Sequence, residues 1–310
     1  MDYSKAVDKL IARQLRDWDV ARRNYAALAS SSTRSLQVAQ STIVLQFNPE
    51  RRRSTAARLD KKSLSHRKCF LCTENQPAKQ RALLWGDHYR IQVNPYPIFK
   101  RHLTIADLNH VPQRLEGRVG DMMLLAESLP DFVVFYNGPQ CGASAPDHMH
   151  FQAGAKGEMP LCDEILHSTI HLLADSDEGF IGYVNYLGRS MYTIETTTIR
   201  AAERYAQRLM DLLPLQTGDV EPLVNVLCWW NKTDRQWHLV FFPRRKHRPA
   251  CYGEGEGKLL LSPAAVDMGG LWAVPDKKDF DSLTAPQIQA LFDELCLKEK
   301  KDGSFGVEYN

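Results

Sequence analysis

Residues 145–154 read APDHMHFQAG, with two histidines and a glutamine spaced two residues apart in an otherwise apolar run. On a strand, residues two apart point the same way. His148, His150 and Gln152 would then share one face, with Met149 and Phe151 packed behind them. An imidazole nitrogen is a nucleophile or a metal ligand, and a carboxamide donates hydrogen bonds to an anion. A strand that presents all three holds them in fixed geometry, as a site requires. Directly upstream, YNGPQCGASAPD (136–147) is turn-rich and carries Gly138 and Gly142. Such loops let backbone N–H groups approach an anion, and Asn137 and Ser144 add donors. A phosphate held beside an imidazole implies attack by nitrogen on phosphorus. The neighbouring amide and hydroxyl groups would stabilise charge on the phosphoryl oxygens.

CFLC (69–72) is a second constellation. A C-x2-C pair supplies half of a tetrahedral zinc set and needs two more ligands, for which His66 and His102 are candidates. Two buried thiols are the plainer reading of the same residues. Redox chemistry is disfavoured, because no thioredoxin-like βαβ pattern follows. Basic clusters stand at 51–53 (RRR) and 244–248 (RRKHR). Guanidinium groups suit bidentate contacts to phosphate. Arg51, Arg53 and Arg58 are therefore candidates for the phosphates or sugar of a substrate, and Arg244, Arg245 or His247 for the mouth or acceptor side. A solvated face is the alternative for both clusters.

The elements that would carry these groups follow from periodicity. The N-terminal segment reads as an amphipathic helix with Val7, Leu10, Ile11, Leu15 and Trp18 on one stripe. TIVLQF (42–47) reads as a strand, and the polar 48–68 as a long arm. Strands at 89–93 and 102–106, a helix over 112–129, and strands at 132–137 and 148–154 give the order β-β-α-β-β. Strands at 180–187 and 190–197, a helix over 199–213, and a hairpin of 222–230 with 236–243 repeat that order. A closing helix over 286–299 starts after Thr284 as N-cap, and the Gly-rich 252–270 reads as loop. The fold class is α+β, with antiparallel sheets in two related halves. The expected division is 1–65 (helix, strand and basic arm), 66–175 (the half with the site) and 176–310 (a degenerate half with the closing helix).

The chain has 310 residues, a formal net charge of +2 and seven cysteines. Near-neutral charge gives no support to a nucleic-acid binder. The odd cysteine count argues against a disulfide framework and for a reducing, cytoplasmic setting. No apolar run reaches spanning length, and the charged N-terminus is unlike a signal peptide, so no membrane partner is expected. A monomer or homodimer is expected.

The His-x-His-x-Gln segment resembles the active-site strand of the histidine-triad superfamily. The likeness is to its transferase branch, which includes galactose-1-phosphate uridylyltransferase, diadenosine tetraphosphate phosphorylase and GDP-L-galactose phosphorylase. The resemblance extends diffusely over about 40–295, through HYRIQVNPYPIFKRHLTIADLNH (88–110), the arm at 47–64, and segments 238–249 and 261–280. It implies two fused histidine-triad-like units, a pseudo-dimer in one chain. The matching strand of the second half holds only His238, so one catalytic centre is expected. It further implies that His150 is the nucleophile forming a nucleotidyl-histidine, that Gln152 contacts phosphate, and that Asn137, Gly142 and Ser144 bind it. Four positions separate Ser144 from His148, where the family shows three. Members bearing the cysteine pair complete a structural zinc site with residues that match His110 and His148. The implied activity is a ping-pong nucleotidyltransferase or phosphorylase without an organic cofactor. It would take a nucleoside diphosphate-sugar (a GDP-hexose first, from the arm) or a dinucleoside polyphosphate, with phosphate or a sugar phosphate as acceptor. A nucleotide hydrolase and a non-catalytic nucleotide- or RNA-binding module are the alternatives.

Overall fold

Ser4–Asp17 forms helix α1 and Asp19–Ala29 helix α2 in the computed structural model, which describes residues 2–52, 67–185, 187–299 and 307–308. The single N-terminal helix expected from periodicity is broken at Trp18, whose backbone turns extended (φ −121°, ψ 104°). The bend folds both pieces onto one core, where Val7, Leu10, Trp18, Ala21 and Tyr25 are all buried. Thr33–Val38 (β1) then forms a hairpin with Ser41–Phe47 (β2). β1 gives little sequence signal, because its first five residues alternate only between exposed and half-buried positions. β2 also pairs in parallel with a late strand, Leu271–Val274, so the N-terminal segment is stitched to the C-terminal part in a three-stranded sheet.

The main sheet has ten strands: Ala82–Trp85 (β3), Tyr89–Val93 (β4), His102–Asp107 (β5), Phe132–Asn137 (β6), His150–Ala155 (β7), His171–Ser176 (β8), Gly179–Val184 (β9), Met191–Thr196 (β10), Val224–Asn231 (β11) and Gln236–Pro243 (β12). Their spatial order is β3-β4-β5-β7-β6-β11-β12-β10-β9-β8, and every neighbouring pair is antiparallel. The order reads the same from both ends, with β6 and β11 at the seam. The fold is therefore α+β and built of two related units in one chain. The repeated β-β-α-β-β order is present with one strand added at each outer edge, β3 and β8. The central helices of the two units are Val119–Ser128 (α3) and Ile199–Leu212 (α5); the short α4 (Leu161–Glu164) lies between the units.

Three sequence expectations shift in ways that matter for the site. The helix expected from 112 begins only at Val119, because Pro112–Arg118 stays irregular while Leu115 is still buried. The strand expected from His148 begins at His150, so His148 itself stands in the loop before it. The Gly-rich 252–270, read as loop, contains a short helix α6 (Ala265–Met268) and leads into β13 (Leu271–Val274). Helix α7 (Lys277–Ser282) and the closing helix follow. The latter, α8 (Ala285–Leu295), starts at Thr284 as expected, where Gln287 Oε1 accepts from the Thr284 N–H at 2.9 Å.

Each sheet face is covered. Tyr136, Phe151 and Phe241 pack under α1, α2, α3 and α5. Phe135, Val133 and Trp229 face the other way, among Trp272 of β13 and Phe292 of α8. By strand alternation, His150 and Gln152 project to this second side. Gly154 is required there: a Cβ would lie 2.3 Å from the Phe99 ring, which packs edge-on against His102 with centroids 5.5 Å apart. Gly154→Ala is expected to cost about 1–3 kcal/mol by overpacking, read as a lower urea midpoint with an unchanged slope.

Candidate active site

His150 is 3% exposed, and its ring is held by one bond: Nδ1 lies 2.8 Å from the carbonyl oxygen of His148. A carbonyl only accepts, so Nδ1 carries the proton and Nε2 carries the lone pair. Nε2 makes no hydrogen bond among the described residues. Burial pushes the His150 pKa down to about 4, so the ring is neutral at pH 7. Its backbone is clamped by Gln113, whose Oε1 accepts from the His150 N–H at 2.8 Å and whose Nε2 donates to the His150 carbonyl at 3.0 Å.

Gln152, two residues on, is oriented by two side chains. His102 Nδ1 accepts from the Ile98 N–H at 3.1 Å, which puts the proton on Nε2; that N–H donates to Gln152 Oε1 at 3.1 Å. Asn94 Nδ2 donates to the same oxygen at 3.3 Å and to Thr104 at 3.2 Å. With its oxygen occupied, Gln152 turns its NH2 group away from His102 as a free donor. His102 is fully buried, and burial, with the charge of Arg51 adding to it, brings its pKa down to about 3. A neutral His102 is what this arrangement needs, since its Nδ1 must accept.

The loop between β6 and β7 starts at Asn137. Asn137 Oδ1 accepts from Asn225 Nδ2 and from the Ala265 N–H, both at 2.9 Å, which leaves its own NH2 group outward. Asn225 also donates to the Cys141 carbonyl at 2.7 Å and accepts from Arg244 Nη1 at 2.6 Å. Gly142 adopts φ +100°, and a Cβ there would sit 2.6 Å from Ala264 Cβ, so only glycine lets the loop pass. The Ser144 carbonyl accepts from Arg67, which also pairs with Asp147 at 2.8 Å. Arg51 is half-buried and donates to the Tyr96 carbonyl at 3.0 Å; its charge reaches both His102 and Asp267. Burial pushes the Asp267 carboxyl up to about 6 against that charge.

Four ligand atoms of Cys69, Cys72, His110 and His148 lie within 4.8 Å of one another. Cys69 Sγ is 3.4 Å and Cys72 Sγ 3.6 Å from His148 Nδ1, and Cys72 Sγ is 3.1 Å from His110 Nδ1. These separations suit the edges of a tetrahedron with bonds of about 2.0–2.3 Å. His148 Nε2–H donates to the Asp107 carbonyl at 2.9 Å, which frees Nδ1 to face the thiols.

His150 and Gln152 therefore share one face as expected, whereas His148 stands before the strand and turns to the cysteine cluster. Of the alternative ligands, His102 lies at Gln152 and away from the cysteines, while His66 is outside the described residues, as are Arg53 and Arg58. Arg244, a candidate for the mouth, is buried instead, spending its guanidinium on Asn225 and on the Pro263 carbonyl at 3.0 Å. Arg52 ties the arm to Glu254 at 2.6 Å. His238 stacks on Trp229 with centroids 5.3 Å apart, 3.6 Å from Glu195 and on the far side of β11 from β6. Gln113 and Asn225 gave no sequence signal, because each is a single polar residue whose partners are remote in the chain.

A buried neutral imidazole, an outward carboxamide and a glycine-bearing loop thus stand together on a fold of two related units. Residues 10–155 match the family model described as a domain of unknown function, DUF4922. No curated protein matches the sequence. Among solved structures, yeast Ap4A phosphorylase Apa2 in complex with Ap4A is similar at TM-score 0.61 and 16% identity, over 93% of this chain and 96% of that one. Apa2 without ligand gives TM-score 0.58 and 17% identity, over 92% and 97%. An Arabidopsis thaliana ADP-glucose phosphorylase with bound ADP-glucose is more distant, at TM-score 0.38 and 14% identity over 82% and 99%. Among the described residues no helix is long and apolar enough to cross a membrane.

The two buried imidazoles set a pH dependence. Their folded pKa values, about 4 and about 3, lie below the ordinary 6.5. The unfolded chain therefore binds more protons between roughly pH 6.5 and 4, and stability falls as pH drops through that window. Each histidine contributes about 1.4 kcal/mol per pH unit there. Urea unfolding at pH 5 is expected to give a lower midpoint than at pH 7, with a shallower pH slope in His102→Gln; equal slopes would refute the assignment.

Proposed function

We propose that the chain is a nucleotidyl-transferring phosphorylase that works through a covalent nucleotidyl-His150. The observation that carries this reading is the His150 ring, neutral, with Nδ1–H tied to the His148 carbonyl and Nε2 unbonded. In the first step Nε2 attacks the α-phosphorus of the donor and the bond to the leaving phosphate oxygen breaks. Positive charge that develops on the ring is shared through Nδ1–H with the His148 carbonyl. Gln152 and Asn137 turn their NH2 groups to the phosphoryl oxygens, and the 138–147 loop adds backbone donors. In the second step an oxygen of inorganic phosphate, or of a sugar phosphate, attacks the same phosphorus. The P–N bond breaks and neutral His150 is restored.

The donor class rests on two supports. The likeness to Ap4A phosphorylase over nearly the whole chain supports a dinucleoside polyphosphate. The arm at 47–64, by its resemblance to GDP-L-galactose phosphorylases, supports a GDP-hexose. Cys69, Cys72, His110 and His148 fit a structural zinc ion, since they form an all N/S tetrahedral set and His148 is already oriented by the Asp107 carbonyl. Bound there, the metal would fix His148, and with it the carbonyl that orients His150. The site reads as cytoplasmic chemistry, because free thiolate ligands need a reducing setting.

Intact-mass measurement of the protein with diadenosine tetraphosphate and GDP-, ADP- and UDP-sugars, without acceptor and without acid quench, tests the reaction. The expected result is an adduct of one NMP on the wild type and none on His150→Ala, with the added mass naming the base. Turnover to free NMP without an adduct would favour a hydrolase, and tight binding without either would favour a binding module. Elemental analysis is expected to give one zinc per chain, lost in Cys72→Ser together with at least a tenfold fall in turnover.

A further inference from the structure

The β6–β7 ladder stops early. Its register runs from Phe132↔Ala155 to Phe135↔Gln152. Continued for two more positions, it would set Asn137 opposite His150. Those two residues do not pair. The carboxamide of Gln113, which is fully buried, stands between them. Its Oε1 accepts from the His150 N–H at 2.8 Å, and its two N–H groups donate to the His150 carbonyl at 3.0 Å and the Asn137 carbonyl at 2.9 Å. The amide orientation is fixed by its partners, because one offers a donor and two offer acceptors. The backbone N–H of Gln113 donates to the Pro146 carbonyl at 3.1 Å, so the same residue holds the far end of the 138–147 loop. One side chain thus acts as a strand one residue long. It keeps β6 and β7 splayed where the loop emerges, and it satisfies backbone groups that a burial of this depth would otherwise orphan.

We propose that Gln113 is a positioning residue for nucleotidyl transfer, whose carboxamide sets the distance between the His150 nucleophile and the Asn137 donor. This rests on the function proposed above. The Gln113 carboxamide is out of a ligand's reach: it is fully buried, with both donors and its oxygen bonded to the backbone. Its effect would fall on the geometry of attack rather than on affinity. A displacement of about 1 Å at a reacting atom can cost on the order of 100-fold in rate.

The test compares wild type with Gln113→Met, of similar shape but without the amide, and Gln113→Glu, which keeps the acceptor for His150 N–H but loses both donors. Three quantities are read: the single-turnover rate of adduct formation, the dissociation constant for AMP, and the side-chain 15N resonances of histidine-labelled protein. For both variants the expected rate loss is about 30- to 100-fold, with AMP affinity changed less than threefold. Among the histidines only His150 should depart from its Nδ1–H tautomer pattern. A wild-type rate in either folded variant would overturn the proposal, as would a rate loss matched by an equal loss of AMP affinity. Should the wild type form no adduct with any donor, the functional reading fails, while the histidine spectra still judge the clamp. A His150 pattern altered in the variants upholds it, and an unaltered one overturns it.

Discussion

The site depends on the 2.8 Å hydrogen bond between the His150 ring and the carbonyl of His148. That bond alone decides which ring nitrogen is basic. It holds only if the His148 peptide is itself immobile, and the sequence spends heavily on this. The His148 ring is caught between the Asp107 carbonyl and the two thiols, and the Met149 N–H donates to the Val111 carbonyl at 2.7 Å. The cysteine–histidine cluster and the His150 ring are thus one mechanical unit, joined by a single residue of main chain.

The same economy governs Gln152. A glutamine at the edge of an apolar strand has two equivalent-looking ends, and only its neighbours choose between them. His102 and Asn94 both donate to the oxygen, so the amide nitrogen is the end presented. His102 can donate through Nε2 only while Nδ1 accepts, which requires the neutral ring that burial supplies. Polar groups here are held by other polar groups whose own valences are filled, the condition under which a buried network is rigid rather than costly.

Much of this was legible in the sequence and some was not. Short apolar runs placed nine of the fold's strands and the duplicated order, because strands buried on both faces read as nearly continuous hydrophobic segments. The HMHFQ run stood out because imidazoles at that spacing are hard to explain as packing. The break at Trp18 and the late start of α3 at Val119 were hidden, since tertiary burial overrode helical periodicity in both places. The starting point of β7 was hidden for a related reason: alternation continues through Met149 and Phe151 although His148 has already left the ladder. Gln113 and Asn225 were invisible, because a lone amide carries no pattern and its partners lie far off in the chain. Arg244 shows the converse, a charged residue in a basic run that looks like surface and is core.

The seam between β6 and β11 has one further consequence. Asn225 of the second unit, with Ala264 and Ala265 beyond it, supports Asn137 and Gly142 of the first, so the site is assembled across the seam. Were the units separate subunits, their association would follow mass action, and dilution would dismantle the site. Within one chain the encounter is intramolecular and its effective concentration is set by the linker. A symmetric pair must also accept every substitution twice. A single chain accepts each once, which is why one unit can keep the HMHFQ strand while the other is reshaped into its support.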